Sequence, residues 1–263
     1  MCADEHDDSP AAPAAMAEPL SPPDSMPDAP PSPRRVAVVV AHPDDAEFSC
    51  AATVAKWARE GQEVSYVLLT SGDKGSSDPT MTPERLVATR EAEQRAACDL
   101  LGVREVVFLH QTDAMLVPDL TLRRELVRVI RRLKPHAVVC QDPTVYWSGQ
   151  NYINHPDHRA AAQVTLDALY PAARDRMTFP ELLAEGLEPH AVNEVYLLAP
   201  AEPDHWIDVT ETMPIKFAAL RAHASQIVGW DPEPMLTEWA REGGAKMGGG
   251  VEFAEGFKYF KLD

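Results

Sequence analysis

The stretch VVVAHPDDAEFSC, residues 38–50, ends an apolar run on His42, Pro43, Asp44 and Asp45, and far downstream NHPDHR, residues 154–159, adds His155 and His158. These are metal-competent side chains. A catalytic zinc takes three protein ligands from His and carboxylate and keeps a fourth position open for water. His42 and Asp45, three apart, supply two ligands if the chain turns into a helix at Pro43. His158, one turn beyond His155 at a second helix start, supplies the third. Two imidazoles and one carboxylate leave a local charge near +1, enough to acidify water and polarise a carbonyl. Asp44 and His155 remain. One could take the proton from the water, and the other could stabilise the tetrahedral oxyanion or protonate the leaving nitrogen. For either motif alone, an Asp helix cap beside a turn-stiffening Pro is an equal reading. Two such motifs, each at a strand end, favour metal chemistry.

For the motifs to meet, the chain must bring two strand ends together. Val36 to Val40 is a continuous apolar strand, and Ala46 to Glu60 reads as a helix stopped by Gly61. Strands follow at Glu63–Thr70, Val106–Leu109, His136–Cys140 and Val192–Leu198. Helices are expected at Pro83–Leu101 before Gly102, at Leu122–Lys134, from the second motif through Leu169, at Thr212–Ile227 and at Pro234–Met247. Strands alternating with helices predict an α/β fold, a Rossmann-like doubly wound, mostly parallel sheet with helices on both faces. In strand order 3-2-1-4-5 the first and fourth strands are neighbours at the switch point, so His42 and the 154–159 motif would face one crevice.

Residues 1–33 are rich in Pro, Ala and acids, hold no Lys or Arg and show no apolar period, which predicts a disordered tail before one domain at 34–263. The formal charge of −17 argues against nucleic acid or an anionic membrane as main partner. No apolar run approaches the roughly 18 residues of a membrane span, and no signal peptide is legible, so the expectation is a cytoplasmic protein. Cys2, Cys50, Cys98 and Cys140 stand far apart, which suggests neither a disulfide framework nor a zinc knuckle.

AHPDDAE followed by HPDHR resembles the LmbE/PIG-L family of zinc-dependent N-deacetylases. So do TSGDKG, REAEQRAACDLLGV and FLHQTDAML, and the likeness covers about residues 35–260. The resemblance implies Zn²⁺ on His42, Asp45 and His158, Asp44 as general base and His155 as the oxyanion-stabilising histidine. It further implies that Arg90 and Asp113 hold the hydroxyls of an N-acetylglucosamine-type small-molecule substrate. KFAALRAHASQI and GVEFAEGF resemble bacterial members and imply a homo-oligomer, perhaps of six subunits. The sequence departs from the family's pattern at the aromatic that usually stands just before HPDH: Tyr152 lies three residues before His155.

Four further readings rest on the residues. Lys74 in GDKGSS could meet a substrate anion, or belong to a plain flexible loop. Tyr146, Trp147 and Tyr152 could stack on sugar faces or pack under their loop. His223 could form a supporting bond to a site residue or cap an interface. Asp142 could orient a ligand His, or make an Asp-Pro turn. Together these readings favour a zinc-dependent hydrolase that removes an N-acetyl group from an amino sugar. Its rivals are an amidase on a thiol-sugar conjugate or a natural-product deacetylase with the same site, and an idle sugar- or metal-binding module.

Overall fold

The computed structural model describes residues 33–262. All of the expected tail except Pro33 lies outside them. Nine strands are present among the described residues: β1 Arg35–Val40, β2 Glu63–Thr70, β3 Glu105–Gln111, β4 Ala137–Gln141, β5 Trp147–Ser148, β6 Tyr152–Ile153, β7 Glu194–Leu198, β8 His205–Asp208 and β9 Ala254–Lys261. The α-helices are α1 Asp45–Ser49, α2 Ala51–Arg59, α3 Pro83–Leu101, α4 Leu120–Leu133, α5 Pro156–Asp167, α6 Glu181–Ala184, α7 Met213–Arg221 and α8 Glu233–Met247.

Seven strands form one sheet in the order β3-β2-β1-β4-β7-β9-β8, parallel through β7 and antiparallel at β9 and β8. The centre is the expected 3-2-1-4 arrangement, with β7 in fifth place. From Val36 onward β1 is apolar because both of its faces are covered. Ala37 and Val39 join the cluster that includes Leu126, Ile130 and Val164 on α4 and α5. Val36, Val38 and Val40 join the opposite cluster, with Val54, Ala97 and Ala219 on α2, α3 and α7.

Three expectations need correction. The helix read over Ala46–Glu60 is broken at Cys50. The break is held from outside: the Glu255 carboxylate accepts from Thr53 N–H at 2.8 Å and Ala52 N–H at 3.3 Å, which caps α2. Lys216 Nζ donates to Ser49 O at 3.1 Å and to Glu255 Oε1 at 2.7 Å. The helix read over Thr212–Ile227 ends at Arg221, and residues 223–226 turn to bond α3. β8 and β9 were not foreseen. α8 can lie against β9 because Gly243 and Gly244 carry no Cβ: one added there would stand 2.2 Å from Ala254 O and 2.5 Å from Glu252 O.

Candidate active site

β1 runs straight into the first motif, and β4, its parallel neighbour, ends beside it at Gln141. The turn folds on itself: His42 N–H donates to Asp45 Oδ2 at 2.8 Å, and Gln141 Nε2 donates to the same oxygen at 2.8 Å. The Asp45 carboxylate therefore stands between two imidazoles, with Oδ2 3.5 Å from His42 Nδ1 and Oδ1 3.1 Å from His158 Nε2. Tetrahedral bonds of about 2.0–2.1 Å put neighbouring donor atoms roughly 3.3 Å apart, so this spacing suits one small divalent cation. The ring nitrogens of His42, His155 and His158 also lie within 4.8 Å of one another.

The outer side of each imidazole is fixed as metal ligands require. His42 Nε2 faces Asp113 Oδ1 at 3.1 Å and Asp157 Oδ2 at 3.2 Å. Asp157 is itself held by N–H groups of Ala114 and Leu116 at 2.7 and 3.2 Å, which makes it an orienting carboxylate. His158 Nδ1 lies 3.0 Å from Asn154 Oδ1. Burial alone would lower the pKa of His42, yet its hydrogen bonds to the Asp113, Asp157 and Asp45 carboxylates push it up to about 12. Burial raises Asp113, but the bond and charge of His42 win and hold it at about 2. Asp45 also stays well below the usual range, because His158 and His42 outweigh its burial. The ionised Asp45 carboxylate and the two imidazoles that flank it form a donor set for a cation, with Asp113 and Asp157 behind His42.

His155 is the N-cap of α5, and its Nδ1 accepts Asp157 N–H at 3.2 Å. An accepting Nδ1 places the ring proton on Nε2. Burial first, then the charge of His42, lowers the pKa of His155. Its neutral ring is thus a hydrogen-bond donor through Nε2.

Asp44 adopts φ 83, the left-handed region. Its Oδ2 accepts from Arg90 Nη2 at 3.2 Å. Burial pushes its carboxyl up; Arg90 opposes this, Asp45 adds to it, and the result is about 7. Arg90 is 4% exposed and also donates to Pro43 O at 2.7 Å and Gly72 O at 3.3 Å. Gly72, at φ 66, must lack a Cβ, since one would sit 2.1 Å from Arg90 Nη1.

Of the remaining expected residues, Asp113 joins the site through His42 and accepts Lys74 N–H at 3.2 Å. The Lys74 ammonium is paired with Asp73 at 3.1 Å. Tyr146, Trp147 and Tyr152 are exposed on or beside the β5–β6 hairpin that leads to His155. Arg159 lies over the Tyr146 ring. His223 is fully buried, 3.5 Å from Glu47. Asp142 orients no histidine; it accepts Thr144 N–H and Oγ1–H and closes the Asp-Pro turn. Asp157, Asn154 and Gln141 were missed. The Asp inside HPDH was a usable signal for the first of them, because a ligand His needs a carboxylate behind it.

The profile of the PIG-L family, GlcNAc-PI de-N-acetylase, matches residues 37–169. Diacetylchitobiose deacetylase of Thermococcus kodakarensis is 29% identical over 230 residues, covering 85% of this chain and 84% of the relative. Probable N-acetyl-alpha-D-glucosaminyl L-malate deacetylase 2 of Bacillus anthracis is 31% identical over 221 residues, covering 80% and 86%. The structure of N,N'-diacetylchitobiose deacetylase from Pyrococcus horikoshii with its inhibitor MPG matches with a TM-score of 0.79 at 28% identity, covering 88% of this chain and 85% of that one.

Proposed function

The chain belongs to the PIG-L family, GlcNAc-PI de-N-acetylase, and on that premise we propose that it is a zinc-dependent hydrolase removing the acetyl group from the nitrogen of an N-acetylglucosamine-type sugar. The observation that carries this reading is the Asp45 carboxylate between His42 Nδ1 and His158 Nε2, with a second carboxylate, Asp44, beside it in sequence. His42, Asp45 and His158 would hold the metal. A divalent cation bound there supplies Lewis acidity to the amide carbonyl and lowers the pKa of water.

Asp44 takes one proton from the attacking water as its oxygen bonds to the carbonyl carbon. A carboxyl near pH 7 is a fair base and, once protonated, a fair acid. His155 donates from Nε2 to the oxygen of the tetrahedral intermediate and holds no spare proton in its neutral form. The proton taken by Asp44 therefore passes to the leaving nitrogen as the C–N bond breaks, giving the free amine and acetic acid, which ionises to acetate. Arg90 holds the Asp44 carboxylate and Pro43 O, a use that its burial favours over direct sugar contact. Asp113, Lys74 and Tyr152 are assigned to the sugar, and Lys74 and Tyr152 are the solvent-facing members of that set.

Acetate release from a panel of N-acetylglucosamine derivatives tests the reading. At least one derivative should be turned over, chelator should abolish the reaction, and added zinc should restore it. A folded, zinc-loaded chain that releases acetate from none of them would overturn it.

A further inference from the structure

Behind the turn that carries Asp44 runs a row of polar side chains with no access to solvent. Gln94 on α3, Glu47 on α1 and His223 after α7 are each 0% exposed. Asp44 N–H donates to Gln94 Oε1 at 3.1 Å, Gln94 Nε2 donates to Glu47 Oε1 at 2.9 Å, and His223 Nε2 lies 3.5 Å from Glu47 Oε2. The direction of the row is fixed. A peptide N–H can only donate, so Gln94 turns its carbonyl oxygen to Asp44 and its NH2 to Glu47. The far end is tied down as well: Ser225 N–H and Oγ–H both donate to the Glu93 carboxylate at 2.7 Å. Arg90, Glu93 and Gln94 thus share one side of α3, at the three- and four-residue spacing of a helix face.

Burying polar groups costs free energy unless they are bonded, and apolar contacts fill the surrounding cluster. The row ends on the backbone N–H of a non-glycine residue in the left-handed region. We propose that Gln94 is a positioning residue for the hydrolysis: with its amide oriented by Glu47, whose other oxygen faces His223, it holds the Asp44 peptide so that the carboxylate meets the attacking water. Arg90 grips the same residue by its side chain, and the two contacts fix both ends of it. This inference rests on the assignment of Asp44 as base.

The test is a double-mutant cycle on the full chain, reading kcat, KM and bound zinc with a substrate found in the acetate panel. Gln94→Met in the parent should lower kcat about 10- to 100-fold, the scale of a small displacement of a catalytic group, with KM within about twofold and zinc unchanged. In an Asp44→Asn background the same substitution should change the residual rate by less than about twofold. An unchanged kcat in the parent, or an equal loss in both backgrounds, overturns the proposal. If Gln94→Met does not fold, His223→Gln carries the same cycle, with a smaller loss in the parent and none in the Asp44→Asn background. Full activity of Asp44→Asn alone would strike the base assignment, and this proposal with it.

Discussion

Asp44 joins two demands that conflict at a single residue. The turn needs φ 83, which costs an ordinary L-residue roughly 1–2 kcal/mol. The site needs a carboxylate in a place where burial resists its charge. Asn tolerates the left-handed region and Ala does not, so Asp44→Asn removes the charge with the least disturbance. It should keep its zinc and lose about 10²- to 10⁴-fold in kcat, the scale of general-base catalysis. Stability carries a second signature. A carboxyl near 4 when unfolded and near 7 when folded binds more protons folded than unfolded across that interval, so stability falls as pH rises through it. Asp44→Asn lacks this loss. Thermal unfolding of the metal-free chains should show the variant gaining on the parent between pH 5 and pH 8; an equal difference at both would refute the raised carboxyl.

At the level of elements, legibility followed the distance over which each one is decided. β1, β2, β4 and α3 could be read from apolar runs and from the Pro83 and Gly102 signals lying within or beside them. So could the meeting of His42 with His158, which needed only strand order. The break at Cys50 could not be read, because what splits the helix is the carboxylate of Glu255 on a remote strand. Nor could β9, whose pattern is interrupted by Gly256, where a Cβ would stand 2.4 Å from the Trp206 ring. Gln141 was hidden because its partner, Asp45, is set by the packing of β4 beside β1, and Asn154 because its bond to His158 exists only once the chain turns into α5; Asp157 alone carried a signal, its place inside HPDH. The remote joint makes its own prediction. Lys216 and Glu255 are each about 5% exposed, so Lys216→Met leaves a buried carboxylate without its cation. Breaking such a pair costs about 3–5 kcal/mol. For a domain of this size that lowers Tm by roughly 6–20 °C. Lys216→Met with Glu255→Gln should lose less than the two single losses added together. Strict additivity by thermal unfolding would show that the pair acts as two unrelated contacts.

On the scale of the whole molecule, the segments that suggested an assembly turn out to be used within the subunit. His223 and Glu255 are buried, and Ser225 is bonded to α3. We still propose the homo-oligomer that the likeness of KFAALRAHASQI and GVEFAEGF to bacterial members implies. Light scattering should return a multiple of 28.9 kDa, and a lone 28.9 kDa species at micromolar concentration would refute the oligomer. The joint at Cys50 also has a consequence for the chain as it is made. Translation delivers the turn with His42, Asp44 and Asp45 early, and β4 and α5 bring His155 and His158 to it midway. The carboxylate that caps α2 and steadies that turn arrives only with β9. A ribosome that stalls before Ala254 therefore releases a chain with every proposed metal ligand present, the outer edge of β7 open to foreign strands and the turn of Asp44 unbraced, so that synthesis of β9 becomes the last step in building the site.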